Sequence, residues 1–164
     1  MKAYLSLVKF AHTVFALPFA LLAFFLGLQS RQGHMPWAVL ILVLLCMVFA
    51  RSAAMAFNRY VDRSIDAKNA RTAIREIPAG IIRPQTAMRL VVLTSIGFMV
   101  CAYFINPLCL YLSPLALLVI LGYSYTKRFT WLCHFILGLG LGLAPVGAFI
   151  AVTGKFEVLP ILYG

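Results

Sequence analysis

An all-α fold, a polytopic membrane bundle of about five transmembrane helices, is predicted by three observations. The chain is 63% hydrophobic and only 11% charged, whereas about a quarter of a soluble domain's residues carry charge. Its uncharged runs reach the roughly 20 residues needed to cross a hydrocarbon core about 30 Å thick. Its Lys and Arg residues fall mostly between those runs, so a net charge of +10 points to anionic headgroups of a lipid bilayer and to phosphate-bearing ligands. No basic stripe interleaved with aromatics suggests nucleic acid. Residues 1–164 read as one integral-membrane domain.

The first span is expected over Phe10–Ser30, an uncharged run with Pro18 placed to kink it. It is longer than a signal peptide needs, and more spans follow it. Arg31 to Pro36 is a polar turn with Gly33 and Pro36 as breakers. A second helix starts near Trp37 and meets no Gly or Pro until Pro78, so its pattern carries past Arg51 and out of the bilayer. From about Lys68 to Pro84 the chain becomes a loop punctuated by Pro78, Gly80 and Pro84. The uncharged stretch Leu90–Thr126 is too long for one crossing, and Asn106-Pro107 divides it into a helical hairpin. A fifth span, Phe129–Gly154, has Trp131 as an interfacial anchor and Pro145 as a break or kink. Gly138 and Gly142 suit close small-xxx-small helix packing better than a phosphate loop, because no strand precedes them.

Five spans put the N-terminus, the 51–89 connection and the Lys127/Arg128 turn on one side. Twelve of the fourteen Lys and Arg lie there, with Arg31 and Lys155 opposite. The positive-inside rule makes that side cytoplasmic. Cys46, Cys101, Cys109 and Cys133 lie in or beside apolar runs without paired spacing, as small packing residues do. His12, His34 and His134 are scattered and carry no ligand assignment.

Residues 58–84, the expected cytoplasmic helix end and loop, contain three of the four acidic residues: Asp62, Asp66 and Glu76. Asn58, Asp62 and Asp66 recur every four residues and share one helical face. Spacing alone admits two readings. A divalent metal could lie between the oxygens, or Arg59 and Arg63, each three residues before an aspartate, could form ordinary helix ion pairs. The basic surroundings favour a diphosphate on a lipid tail. Mg²⁺ takes oxygen ligands and bridges carboxylates to phosphates, and Arg binds phosphate in bidentate fashion.

Asn58-x-x-x-Asp62-x-x-x-Asp66, followed by Arg71-Thr72-Ala73-x-Arg75-x-x-Pro78-x-Gly80, resembles the first aspartate-rich motif and following loop of the UbiA superfamily of intramembrane aromatic prenyltransferases. Arg51, seven residues before Asn58, Tyr123-x-x-x-Lys127-Arg128, and the Gly-rich span with Pro145 and Gly147 agree with it. The loop is most similar to that of the 4-hydroxybenzoate polyprenyltransferase group. The resemblance implies Mg²⁺-dependent ionisation of a polyprenyl diphosphate and alkylation of an aromatic acid acceptor in quinone biosynthesis, at a bacterial inner membrane. It makes Asp62 and Asp66 catalytic, with Asn58, Asp62 and Asp66 as metal ligands. Substrate binding would then fall to Lys68, Arg71, Arg75, Tyr123, Lys127 and Arg128, and to Arg51 in a weaker role.

Two departures stand out. Glu76 lies where many relatives have Pro, which leaves the acceptor open. The family's second acidic motif has no counterpart, since Glu157 is the sole acid after Glu76 and lies on the opposite side in this topology. The chain is therefore expected to be the N-terminal portion of a larger enzyme, inactive without a missing C-terminal half. A CDP-alcohol phosphatidyltransferase would require an Asp-Gly dipeptide, which does not occur in the chain. A non-enzymatic protein such as half of a transporter would use the charged loop only to set topology.

Overall fold

The computed structural model describes residues 16–29, 35–126 and 133–155. These residues form five helices and no strands: α1 (Leu17–Gln29), α2 (Trp37–Lys68), α3 (Pro84–Ile105), α4 (Pro107–Thr126) and α5 (Cys133–Thr153). The last four are long and apolar enough to cross a membrane, as expected of a multi-pass bundle. The described part of the first expected span is the 13-residue α1; its beginning, with Arg31, Trp131 and Glu157, lies outside the described residues.

α2 is uninterrupted over 32 residues, about 48 Å at 1.5 Å per residue. That exceeds a hydrocarbon core of about 30 Å, so its last turns project beyond the apolar layer. The helix ends where Asn69 turns extended, its N–H still donating to the Asp66 carbonyl. α3 starts after extended Arg83, with Pro84 in its first turn, where a missing N–H costs nothing.

Asn106 makes the hairpin between α3 and α4. Preceding a proline favours its extended backbone. Its side-chain oxygen accepts from the Cys109 N–H at 2.7 Å, and its amide donates to the Ile150 carbonyl at 3.0 Å. One residue thus caps α4 and ties the hairpin to α5. Pro145 does not end α5, which runs through it with the ring buried.

Two clusters of buried side chains hold the bundle. Ala20 and Phe24 of α1 meet Val43 of α2 and Ala148, Ala151 and Val152 of α5. At the other end, Ala56, Ala87 and Val91 pack against Ile77 and Ile82 of the 69–83 connection. The glycines that allow close helix approach are Gly27 and Gly97. A Cβ on Gly27 would lie 3.3 Å from Phe149 and Val152, and one on Gly97 would lie 3.1 Å from the Phe49 ring. At Gly138 the expected close packing is absent, for among the described residues a Cβ there meets nothing within 4 Å. Cys101 is buried and the other three cysteines half-buried, all as free thiols, in keeping with a packing role.

Candidate diphosphate site at the end of α2

Successive turns of α2 carry Arg51, Asn58, Asp62 and Asp66, and seven- and four-residue steps keep them on nearly one face. The structure divides that face in two. Arg51 and Asn58, together with Tyr123, line an open-sided cavity of about 1230 Å³ bounded mainly by α2, α4 and α5. Its walls are otherwise largely aliphatic, among them Val43, Met47, Leu112, Ile120 and Leu143. Between Val43 and Asn58 the cavity follows α2 for about 22 Å. Half-buried Arg51 has a buried Nε with no hydrogen-bond partner among the described residues. Ser113 and His134, which the sequence did not single out for the site, also line the cavity.

Asp66 belongs to the second part. It is buried, and both its carboxylate oxygens accept from Arg75 Nη1 at 2.8 Å. The Thr72 hydroxyl donates to the Asp66 carbonyl at 3.0 Å, and the Arg71 N–H donates to the Asn69 side chain at 3.0 Å. Gly80 then reverses the chain with φ +73°, a conformation favourable to glycine, and the Ile82 N–H donates to the Glu76 carbonyl at 2.9 Å. The connection is therefore a folded strap over the end of α2. Arg59 clamps it by donating to the Glu76 carboxylate, both side chains being nearly enclosed. The alternative of short-range helix pairs does not describe these arginines: Arg59 reaches Glu76, and Arg63 donates to the Tyr60 carbonyl while stacking 4.4 Å over the Tyr60 ring. No helical spacing could have revealed the Arg59–Glu76 pair, since a turn intervenes.

Among the other expected ligand-binding residues, Lys68 and Arg71 are exposed and Asp62 is half-buried. Lys127 and Arg128 lie outside the described residues. The ring of Tyr125 packs edge-on against Phe57, centroids 5.6 Å apart, so the end of α4 lies beside the motif turn of α2. Chemically, Asn58, Asp62 and Asp66 offer hard oxygen donors only, the chemistry Mg²⁺ accepts. No group of three His, Cys, Asp or Glu side chains converges among the described residues. These oxygens would suit a hard divalent cation only if Asp66 released Arg75.

Similarity to known proteins agrees with this architecture. The chain is 34% identical over 126 residues to the 4-hydroxybenzoate octaprenyltransferase of Aliivibrio fischeri, covering 77% of this chain and 44% of the relative. It is 34% identical over 135 residues to the enzyme of that description from Saccharophagus degradans, covering 82% and 45%. The chain thus spans less than half the length of the curated relatives it matches. Its fold superposes on the apo structure of a UbiA homolog from Aeropyrum pernix K1 with a TM-score of 0.79 and 35% identity, over 93% of this chain and 55% of that one. A structure of digeranylgeranylglyceryl phosphate synthase shares the fold with a TM-score of 0.82 at 23% identity, over 98% and 55%. The family model of UbiA prenyltransferases matches residues 10–164, and the chain belongs to the UbiA prenyltransferase family.

Proposed function

We propose that this chain supplies the prenyl-diphosphate half of a site that transfers a polyprenyl group to an aromatic acid such as 4-hydroxybenzoate. The observation that carries this reading is the cavity itself: aliphatic walls of tail-accepting character, with Arg51, Asn58 and Tyr123 as polar lining. The polar motif lies at the end of α2 that shares a side with most of the chain's basic residues. By the positive-inside rule that side is cytoplasmic, in a bacterial inner membrane.

In this mechanism the apolar walls take the polyprenyl tail and exclude water from the allylic carbon. Asn58, Asp62 and Asp66, by their oxygen character, would hold a divalent cation such as Mg²⁺, which when bound would supply charge that stabilises a departing diphosphate. Arg75 exchanges Asp66 for a phosphate oxygen, so the strap closes on substrate without leaving a carboxylate unpaired. Lys68 and Arg71 hold the outer phosphate, and Lys127 and Arg128, which follow α4 in sequence, are assigned to the same anion. The Arg51 guanidinium, at the cavity wall, serves the ligand's polar end, and the Tyr123 hydroxyl donates to an oxygen there. Capture of the aromatic acid and turnover are assigned to the protein at its relatives' full length. To this chain falls binding of the diphosphate.

The test is Mg²⁺-dependent binding of a non-hydrolysable geranyl diphosphate analogue to the chain in detergent. Binding is expected to weaken about tenfold or more in Asp62→Asn and in Asp66→Asn, the scale of a charge-assisted contact. Binding indifferent to the metal and to both substitutions would overturn the assignment.

A further inference from the structure

A second groove lies on the other side of α2. Its lining includes Tyr60 of α2 and Gln85, Met88, Arg89, Val92 and Leu93 of α3. At 100° per residue, Tyr60 is turned about 160° away from both Asn58 and Asp62, and the groove shares no lining residue with the large cavity. A ligand here is therefore separate from the proposed diphosphate site, and the inference does not depend on that reaction.

The groove is graded from polar to apolar along α3. Gln85 and Arg89 are exposed in its first turns, and the Arg89 side chain makes no hydrogen bond or ion pair among the described residues. Immediately beyond begins the uncharged stretch from Leu90. There Val92 and Leu93 are half or more exposed, as side chains facing lipid are. Tyr60, packed on its inner side in the cluster beneath the strap, presents an amphipathic ring of the kind enriched where headgroup meets acyl chain. Arg63 lies over that ring and adds positive charge beside the groove. No acidic side chain lines it.

We propose that this groove is a binding site for an anionic phospholipid. Arg89 takes the headgroup phosphate, with Gln85 donating beside it, and the acyl chain lies along Val92 and Leu93. Basic pockets between membrane helices on the cytoplasmic side recognise such headgroups, and a guanidinium matches a phosphate's oxygens in bidentate geometry. Charge complementarity selects an anionic lipid over a zwitterionic one, and the apolar floor selects a lipid over free phosphate.

Native mass spectrometry of the full chain in detergent tests this, with phosphatidylglycerol and phosphatidylcholine of equal acyl length as probes. Phosphatidylglycerol is expected to be retained about five-fold more, the scale of one basic side chain at an anionic surface. Arg89→Gln should abolish the preference, while Lys155→Gln at the other end should keep it. Glycerol phosphate at equal concentration should not displace the lipid. Leu93→Gln, at an exposed position that leaves folding intact, should lower phosphatidylglycerol retention. Equal retention of the two lipids, a preference that survives Arg89→Gln, displacement by glycerol phosphate, or retention unchanged in Leu93→Gln would each overturn the site.

Discussion

Arg51 and Arg59 lie eight residues apart on α2 and meet opposite fates. Arg59 points under the strap and is matched by Glu76, with both side chains nearly enclosed. Arg51 lines the cavity, and its buried Nε is unsatisfied among the described residues. The first arrangement holds structure together, because removing either partner leaves a charge buried in a poor solvent for it. The second is a cost to the bundle that a ligand can repay. Side chains of one type on one helix thus separate into a paired, strap-holding position and a cavity-lining one according to what the rest of the fold brings to them.

The glycines divide in the same manner. Gly27 lies where α1 presses against α5, whereas Gly138 on the cavity side has open space beside it. α5 itself changes character along its length: residues from Pro145 to Val152 are mostly buried, while Phe135, Leu137 and Leu139 are exposed.

These contrasts can be broken or sharpened by substitution. The largest effect is expected from Arg59→Ala, which deprives enclosed Glu76 of its arginine and should cost about 3–5 kcal/mol in thermal unfolding in detergent. Gly27→Val should cost about 1–3 kcal/mol by overpacking against Phe149 and Val152. Arg51→Met should leave stability unchanged or higher, since it removes a desolvated charge. The same variant should bind the diphosphate analogue about tenfold more weakly, the scale of one lost charge-assisted contact. Gly138→Ala is expected to raise stability by about 0.5–1 kcal/mol, because alanine suits a helix better and nothing crowds it. A loss of stability there equal to that at Gly27 would erase the distinction between packed and open faces.

Much of the fold is legible in the order of residues. The uncharged runs locate the long helices because a bilayer demands apolar length. The unbroken pattern after Trp37 carries the motif of α2 beyond the apolar layer. Asn106-Pro107 marks the hairpin, and Pro78, Gly80 and Pro84 mark the strap as non-helical. The face shared by Asn58, Asp62 and Asp66 follows from spacing alone. Gly138 misleads, because a small residue in a membrane helix signals close approach only when another helix occupies the space beside it, and α5 faces the cavity there. Glu76, which in sequence only departs from a family pattern, anchors the strap in the fold.

The order of spans, the loop boundaries and the residue types of the candidate site were thus determined by sequence, since they rest on local periodicity, hydrophobic length and turn chemistry. Tertiary structure alone decided which carboxylate meets which arginine: Asp66 with Arg75 and Glu76 with Arg59. It also decided that Arg51 and Tyr123 share a cavity with Asn58 while Asp66 turns under the strap. Such pairings depend on the angle at which a loop returns and on the rotation of each helix about its axis. These are set by the summed packing of distant side chains, which no short window of sequence contains.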